Sequence, residues 1–351
     1  MIHFIFKKKM NYYLLTLLGL VSVFNTQAQD IHFSQFDETP LQLNPANAGL
    51  KFETRVIANY KTQWQSVNAP FKTTAISGDF RLLKKKKHNL GIGIDLISDN
   101  AANKTIKTTQ VNVSISGIIK LSSVSKLSAG LMAGYANRAL NGTAYEWGNQ
   151  YNGLNYDPSK PTGETGLVNS FSFLDLGGGI AYQYGAKEMY ISANNAKQFT
   201  IGASVFHPHQ PSYSFLTSGT AMYMKFVFHG DAAIGIKNSN LVLKPSYIIF
   251  IQGPNKEITP GLAFQYILGE KSKYTHLKKF TAISLGCYYR LKDAVIATAK
   301  FEYGGYAIGL SYDINLSKLK TVSSARGGFE ISLHLGLPRA QKGVAGASRM
   351  F

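Results

Sequence analysis

His207-Pro208-His209 sets two imidazoles, both able to ligate a metal, in a proline-rich loop of the 351-residue chain. Zinc sites take three or four protein ligands, so the pair falls short and no metal or other cofactor is expected. The sequence has no Gly-Lys-Ser/Thr loop to cradle a phosphate, no HExxH pair and no GxSxG elbow. A hydrolase that assembles Ser and His on the outer wall of a barrel needs no local motif and stays open as a reading, although no Ser or His stands out for that role. Charge carries more information. Arg55, Lys61, Asp95, Arg138, Lys300, Glu302, Asp313 and Glu330 fall on the polar-facing positions of alternating segments. Buried charges are normally paired, and the mixture of signs favours an ion-pair network filling an interior; a water-filled path lined by charge is the other reading.

The elements that must position these charges are strands. From about residue 55 to the end, side chains alternate with period two, and no helical period competes. In 306–316, Tyr306, Ile308, Leu310, Tyr312, Ile314 and Leu316 alternate with Ala307, Gly309, Ser311, Asp313 and Asn315, and successive strand side chains face opposite sides. A soluble sandwich or lipocalin-like barrel would turn the apolar set inward and clothe the other in Lys and Glu. Here the polar set is mostly Gly, Ser, Thr, Asn and Ala, small residues suited to a barrel lumen. The apolar set ends in aromatics (Trp64, Tyr135, Tyr182, Tyr184, Phe301, Tyr303 and Tyr306), as at membrane interfaces.

Turn signals divide the chain into about 14 candidate strands, from 54–64, 71–82 and 89–98 to 294–303, 305–316 and 328–336. The connections at 99–105, 141–171, 207–223 and 317–327 follow odd-numbered candidates, and those after even-numbered candidates are mostly shorter, 186–198 and 268–278 excepted, as long outer loops and short periplasmic turns would give, with both chain ends in the periplasm. The fold class expected is therefore all-β, a transmembrane antiparallel outer-membrane barrel. Its domains are a signal peptide at 1–28, a plug segment at 29–52, the barrel at 53–337 and a tail at 338–351.

Composition agrees with export to a membrane. Lys7 to Lys9, an apolar run at 13–24 and Thr26-Gln27-Ala28 form the three parts of a cleaved secretory signal; the run is too short for a span, which needs about 20 residues. Charged residues make up 16%, against about a quarter in an ordinary soluble domain. The net charge of +18 invites a nucleic-acid reading, but the Lys residues cluster in breaks at 84–87 and 271–279 and an exported chain rarely meets nucleic acid. The single cysteine, Cys287, can form no internal disulfide and is expected to pack.

Between the signal and the first strand lies DIHFSQFDETPLQLNPANAGL, residues 30–50. Pro40 and Pro45 forbid a regular element through it, Pro45 biases Asn44 toward extended geometry, and Gly49 can turn the chain left-handed. It reads as a compact plug at the periplasmic mouth of the barrel, with Phe33, Ser34, Gln35, Phe36, Leu43, Asn44, Pro45 and Gly49 as its contact residues. This segment resembles the amino-terminal signature of the PorP/SprF family of type IX secretion system membrane proteins. RVIANYKTQW (55–64), EWGNQY (146–151), FSFLDLGGGIAYQY (171–184) and GGFEISLHL (327–335) are similar to later family segments in the same order. The resemblance implies a non-enzymatic outer-membrane barrel of a secretion and gliding system. Its implied partners are outer-membrane lipid, subunits of the secretion machinery and a cargo, such as an adhesin, with a carboxyl-terminal sorting domain. A fatty-acid channel similar to FadL, which also joins a 14-stranded barrel to a hatch bearing Asn-Pro-Ala, is the alternative.

Overall fold

The computed structural model describes residues 30–64, 70–84, 87–101, 105–140, 147–163, 166–186, 196–216, 220–269, 279–317, 320–323 and 325–337. The expected signal segment, the tail and most of the two basic runs lie outside the described residues. Within the unit Ile31–Phe351, fourteen strands follow one another: β1 (Thr54–Gln63), β2 (Phe71–Lys84), β3 (His88–Ala101), β4 (Ile106–Lys120), β5 (Ser125–Leu140), β6 (Ser170–Ala186) and β7 (Lys197–Phe206). They continue as β8 (Lys225–Gly235), β9 (Leu241–Gln252), β10 (Asn255–Gly269), β11 (Thr281–Arg290), β12 (Ala294–Tyr303), β13 (Tyr306–Asn315) and β14 (Arg326–Leu337). Each strand pairs with its sequence neighbours, and β1 pairs with β14 from Thr54↔Leu337 to Gln63↔Gly328, closing the barrel.

Closure is what a sheet with two different faces needs in a membrane, because a closed antiparallel barrel leaves no edge of unpaired backbone in lipid. The faces separate as the alternation requires. Along β13 the side chains of Tyr306, Ile308, Leu310, Tyr312 and Ile314 are exposed, whereas Ala307, Ser311, Asp313 and Asn315 are buried. Leu131 is 74% and Leu174 67% exposed, and apolar residues of this kind recur on every strand. A soluble monomer rarely shows an apolar patch beyond a few hundred Å², so a belt around the whole circumference demands lipid. Aromatics flank it: Tyr60, Tyr135 and Tyr312 toward one end, Tyr182, Tyr303 and Tyr306 toward the other. Cys287 belongs to this outer face and is exposed, so the expectation that it packs inside is corrected: its alternation partner Tyr288 takes the inward position.

Long connections follow β5, β7 and β13 at one end of the barrel; at the other end those after β6 and β10 are also long and the rest are short. The connection expected at 99–105 is shorter than the sequence suggested, because β3 runs to Ala101 and pairs with β4 up to Ile106. At the opposite end β12 passes to β13 through Gly304 and Gly305. These two ends are called the long-connection and short-turn ends below.

The plugged lumen as candidate functional site

The lumen is filled by the protein's own residues Ile31 to Phe52. The segment is built from three short turns: Phe36–Glu38, Pro40–Leu43 and Pro45–Asn47. Asn44 is extended (φ −165°, ψ 121°), as a residue before proline must be, and its side-chain oxygen accepts the Ala46 N–H at 2.9 Å. Gly49, at φ +63°, releases the chain toward β1.

The segment runs through the barrel from end to end. At the long-connection end, Phe33 packs with Ala75 and Ile97, and the Ser34 and Gln35 N–H groups donate to the Glu330 carboxylate at 2.7 and 2.9 Å. The Ser34 hydroxyl donates to Asp313 (2.7 Å) and accepts from Arg290 (2.8 Å). At mid-depth, Phe36 and Leu43 join Met132, Phe206, Val227 and Ile248 in one apolar cluster, with Phe36 edge-on to Tyr288. At the short-turn end, the Gly49 N–H donates to Asp79 at 2.8 Å and Arg81 donates to the Gly49 and Leu50 carbonyls. The segment expected to enter at one mouth thus reaches the long-connection end as well. The reason is charge: Glu330, Asp313 and Arg290 lie near the long-connection ends of their strands and bind Ser34 there.

The wall grips backbone. Hydroxyls of Ser116, Ser128 and Ser204 donate to the carbonyls of Ala48, Ala46 and Leu43. Where the two backbones meet, only glycine fits: a Cβ on Gly91 would lie 2.1 Å from the Ala48 carbonyl oxygen, and one on Gly130 2.4 Å from the Ala46 nitrogen.

The eight lumen charges anticipated from alternation do not form one network. Arg55 pairs with Asp79 at 2.7 Å and Lys61 with Glu330 at 3.2 Å. Lys300 pairs with Glu38, which also meets His334 at 2.7 Å. Glu302 accepts from Gln265 at 2.8 Å and lies 3.8 Å from Lys244. Asp313 pairs with Arg290 at 3.2 Å. Asp95 instead accepts from Gln42 and Asn112. Arg138 stands apart, its guanidinium 4.7 Å from the Tyr213 ring and 5.6 Å from that of Phe215 in a cluster with Phe171 and Phe173. Asp79, Glu38, Arg290 and His334 were not anticipated. Two of the pairs sit directly opposite each other in the ladder, Arg55↔Asp79 and Lys61↔Glu330, a signal that register alone would have supplied.

Within the plug, burial alone would raise the Glu38 carboxyl, but Lys300 and His334 hold it well below the ordinary carboxylate range. Burial lowers His32 to about 4, against the opposing effect of Glu257 at 3.1 Å. His207 Nδ1 meets Asp175 at 2.6 Å, while His209 Nε2 meets the Leu174 carbonyl at 2.8 Å. Among the described residues no group of three or more His, Cys, Asp or Glu could hold a metal.

A closed fourteen-stranded antiparallel barrel with an apolar outer belt and a polar, filled lumen is an outer-membrane β-barrel. Residues 25–335 match the family described as type IX secretion system membrane protein PorP/SprF, and the chain belongs to that family. It is thus an outer-membrane component of type IX secretion, associated with that machinery. No curated protein sequence matches the chain. Among solved structures it is similar to a Pseudomonas aeruginosa FadL homologue (TM-score 0.43, 10% identity, 84% of this chain and 92% of that one). It is also similar to the Pseudomonas putida toluene transporter TodX (TM-score 0.39, 9% identity, 87% and 93%). A third similar structure is BamA from Haemophilus ducreyi lacking POTRA domains 1–3 (TM-score 0.42, 9% identity, 81% and 70%).

Proposed function

We propose that the chain is a non-catalytic barrel that serves the export or surface attachment of one cargo protein, such as an adhesin with a carboxyl-terminal sorting domain. The observation that carries this reading is the occupied lumen. Residues 31–52 fill it from end to end, held at both ends by backbone N–H groups donating to the wall carboxylates Glu330 and Asp79 and between them by the ion pairs of Glu38 with Lys300 and of Lys51 with Asp231. An open water-filled pore has no use for so firm an obstruction, whereas a docking scaffold gains rigidity from it.

In this reading the signal segment is removed on export and the barrel is solvated by outer-membrane lipid. The connections after β5, β7 and β13 face outward, and the start of β1 and the end of β14 face the periplasm, where machinery subunits bind. Ile31 then lies toward the outer half of the lumen. The test is deletion of the gene followed by comparison of surface proteins: one cargo disappears from the surface while growth on small nutrients continues. An unchanged surface complement overturns the proposal. Loss of growth on hydrophobic nutrients instead supports the FadL-like channel.

A further inference from the structure

The barrel wall has a defect between β8 and β9. Their pairing runs from Lys225↔Gln252 to Asp231↔Ser246 and resumes at Ile234↔Leu243, so Ala232 and Ala233 have no partners across from Lys244 and Pro245. The flanking pairings are continuous: β7 meets Ala232 and Ala233 through Phe199 and Gln198, and β10 meets Lys244 and Pro245 through Ala263 and Leu262. The cause is local. Pro245 has no N–H to donate and sits inside a strand, a position proline ordinarily avoids because a ladder bond is lost. A second proline, Pro260, sits on β10 opposite Tyr247.

The defect adjoins a cavity. Gly230 to Ala233 and Lys244 to Tyr247 line a space of about 110 Å³, together with Lys51, Glu38 and Lys300 from the lumen side. Gly230 and Tyr247 belong to the membrane-facing set of their strands, yet they border the same cavity as lumen charges. Tyr247 closes the outer side: a Cβ on Gly230 would come within 2.5 Å of its ring. Phe228, Ile234 and Leu262 continue the apolar surface around it.

The cations in this cavity are not equally satisfied. Lys51 holds Asp231 at 2.6 Å and Lys300 holds Glu38, but Lys244, beside the defect and sharing the cavity with Asp37, has its ion-pair partner Glu302 only at 3.8 Å. A loosely paired ammonium inside, a broken ladder in the wall and an aromatic flap outside form a route with one charged end and one apolar end. We infer a lateral binding site in the wall between β8 and β9 for a single-chain fatty carboxylate. Its head group binds Lys244, and its chain leaves past Gly230 and Tyr247 into the membrane. By the same measure about 10–15 Å³ holds one water, so the space takes a carboxylate and its first methylenes.

The test uses full-length protein in lipid nanodiscs with hexadecanoate carrying a diazirine near C3, irradiated and mapped by peptide mass spectrometry. Adducts are expected to concentrate on residues 228–249 and to be competed by hexadecanoate but not by hexadecanol. Lys244→Gln should lower labelling about tenfold, the equivalent of one charge-assisted hydrogen bond. Pro245→Val, which restores an N–H donor and closes the ladder, should lower it too, and it covers the case in which the lysine variant fails to fold. Labelling spread evenly over the membrane face, or unmoved by Pro245→Val, overturns the inference.

Discussion

Glu330 holds the amino-terminal half of the plug, and Glu330→Gln isolates its charge without changing its shape. The carboxylate accepts the Ser34 and Gln35 N–H groups at 2.7 and 2.9 Å and pairs with Lys61 at 3.2 Å. A carboxamide can accept one of these donors, but its NH2 must then face another. One hydrogen bond to a charged group contributes about 1.5–3 kcal/mol, and breaking a buried ion pair costs about 3–5 kcal/mol. Lys61 keeps the His32 carbonyl at 2.9 Å as a second acceptor, which places the net loss near the low end, about 3 kcal/mol. At 1.4 kcal/mol per decade this is about a hundredfold in the population of the detached segment. Hydrogen exchange read residue by residue should show the Ser34 and Gln35 amides losing about two decades of protection. The Ala46 and Asn47 amides, fixed by the Asn44 turn, should keep theirs. Unchanged protection at Ser34, or a loss spread over the whole barrel, would refute the assignment of Glu330 as a local clasp.

Two other perturbations separate shape from charge. Gly130→Val drives a side chain into the Ala46 backbone, which cannot swing aside as a flexible side chain would; overpacking of this kind costs about 1–3 kcal/mol, so proteolysis within 44–50 should accelerate while the barrel keeps its heat-modifiable migration on gels. Acid should act at the other end of the segment: His32 is neutral in the folded protein with its pKa lowered from 6.5 to about 4, so its contribution is complete above 6.5 and falls as pH drops toward 4. Amide protection around His32 should therefore decline between pH 7 and 4, and His32→Gln should flatten that decline; Glu38, whose pKa is depressed, gives its full contribution above 4.5 and loses it progressively as the pH falls below that.

The strands were legible because the membrane enforces strict alternation. In β13 every second residue must satisfy lipid, so the period survives without help from a soluble core. Pairing partners were harder to read. Arg55 and Asp79 are ladder neighbours, but Arg290 and Asp313 sit on β11 and β13 with β12 between them. Contact across a curved wall depends on side-chain reach that periodicity does not encode. Arg138 shows the reverse case: its parity is that of Lys61, yet it lies near the end of β5 and stacks on aromatics of the long connections. Parity gives the face of the wall and says nothing of depth.

The Asn-Pro-Ala segment stood out in sequence, and the structure assigns its conspicuous residues to shape more than to recognition. Pro45 fixes the turn that presents Ala46 and Ala48 carbonyls to Ser128 and Ser116. Asn44 is the exception, donating to the Ile180 and Ala203 carbonyls while capping its own turn. Recognition of the rest lies in the wall, in serine hydroxyls and in glycines whose missing Cβ atoms make the room. Such residues are common in any barrel lumen and carry no motif of their own. A chain that keeps the Asn-Pro-Ala segment but fills the positions of Gly91 and Gly130 with larger residues would therefore retain the signature and lose the seat, which makes those two wall glycines a sharper criterion for a plugged lumen than the segment itself.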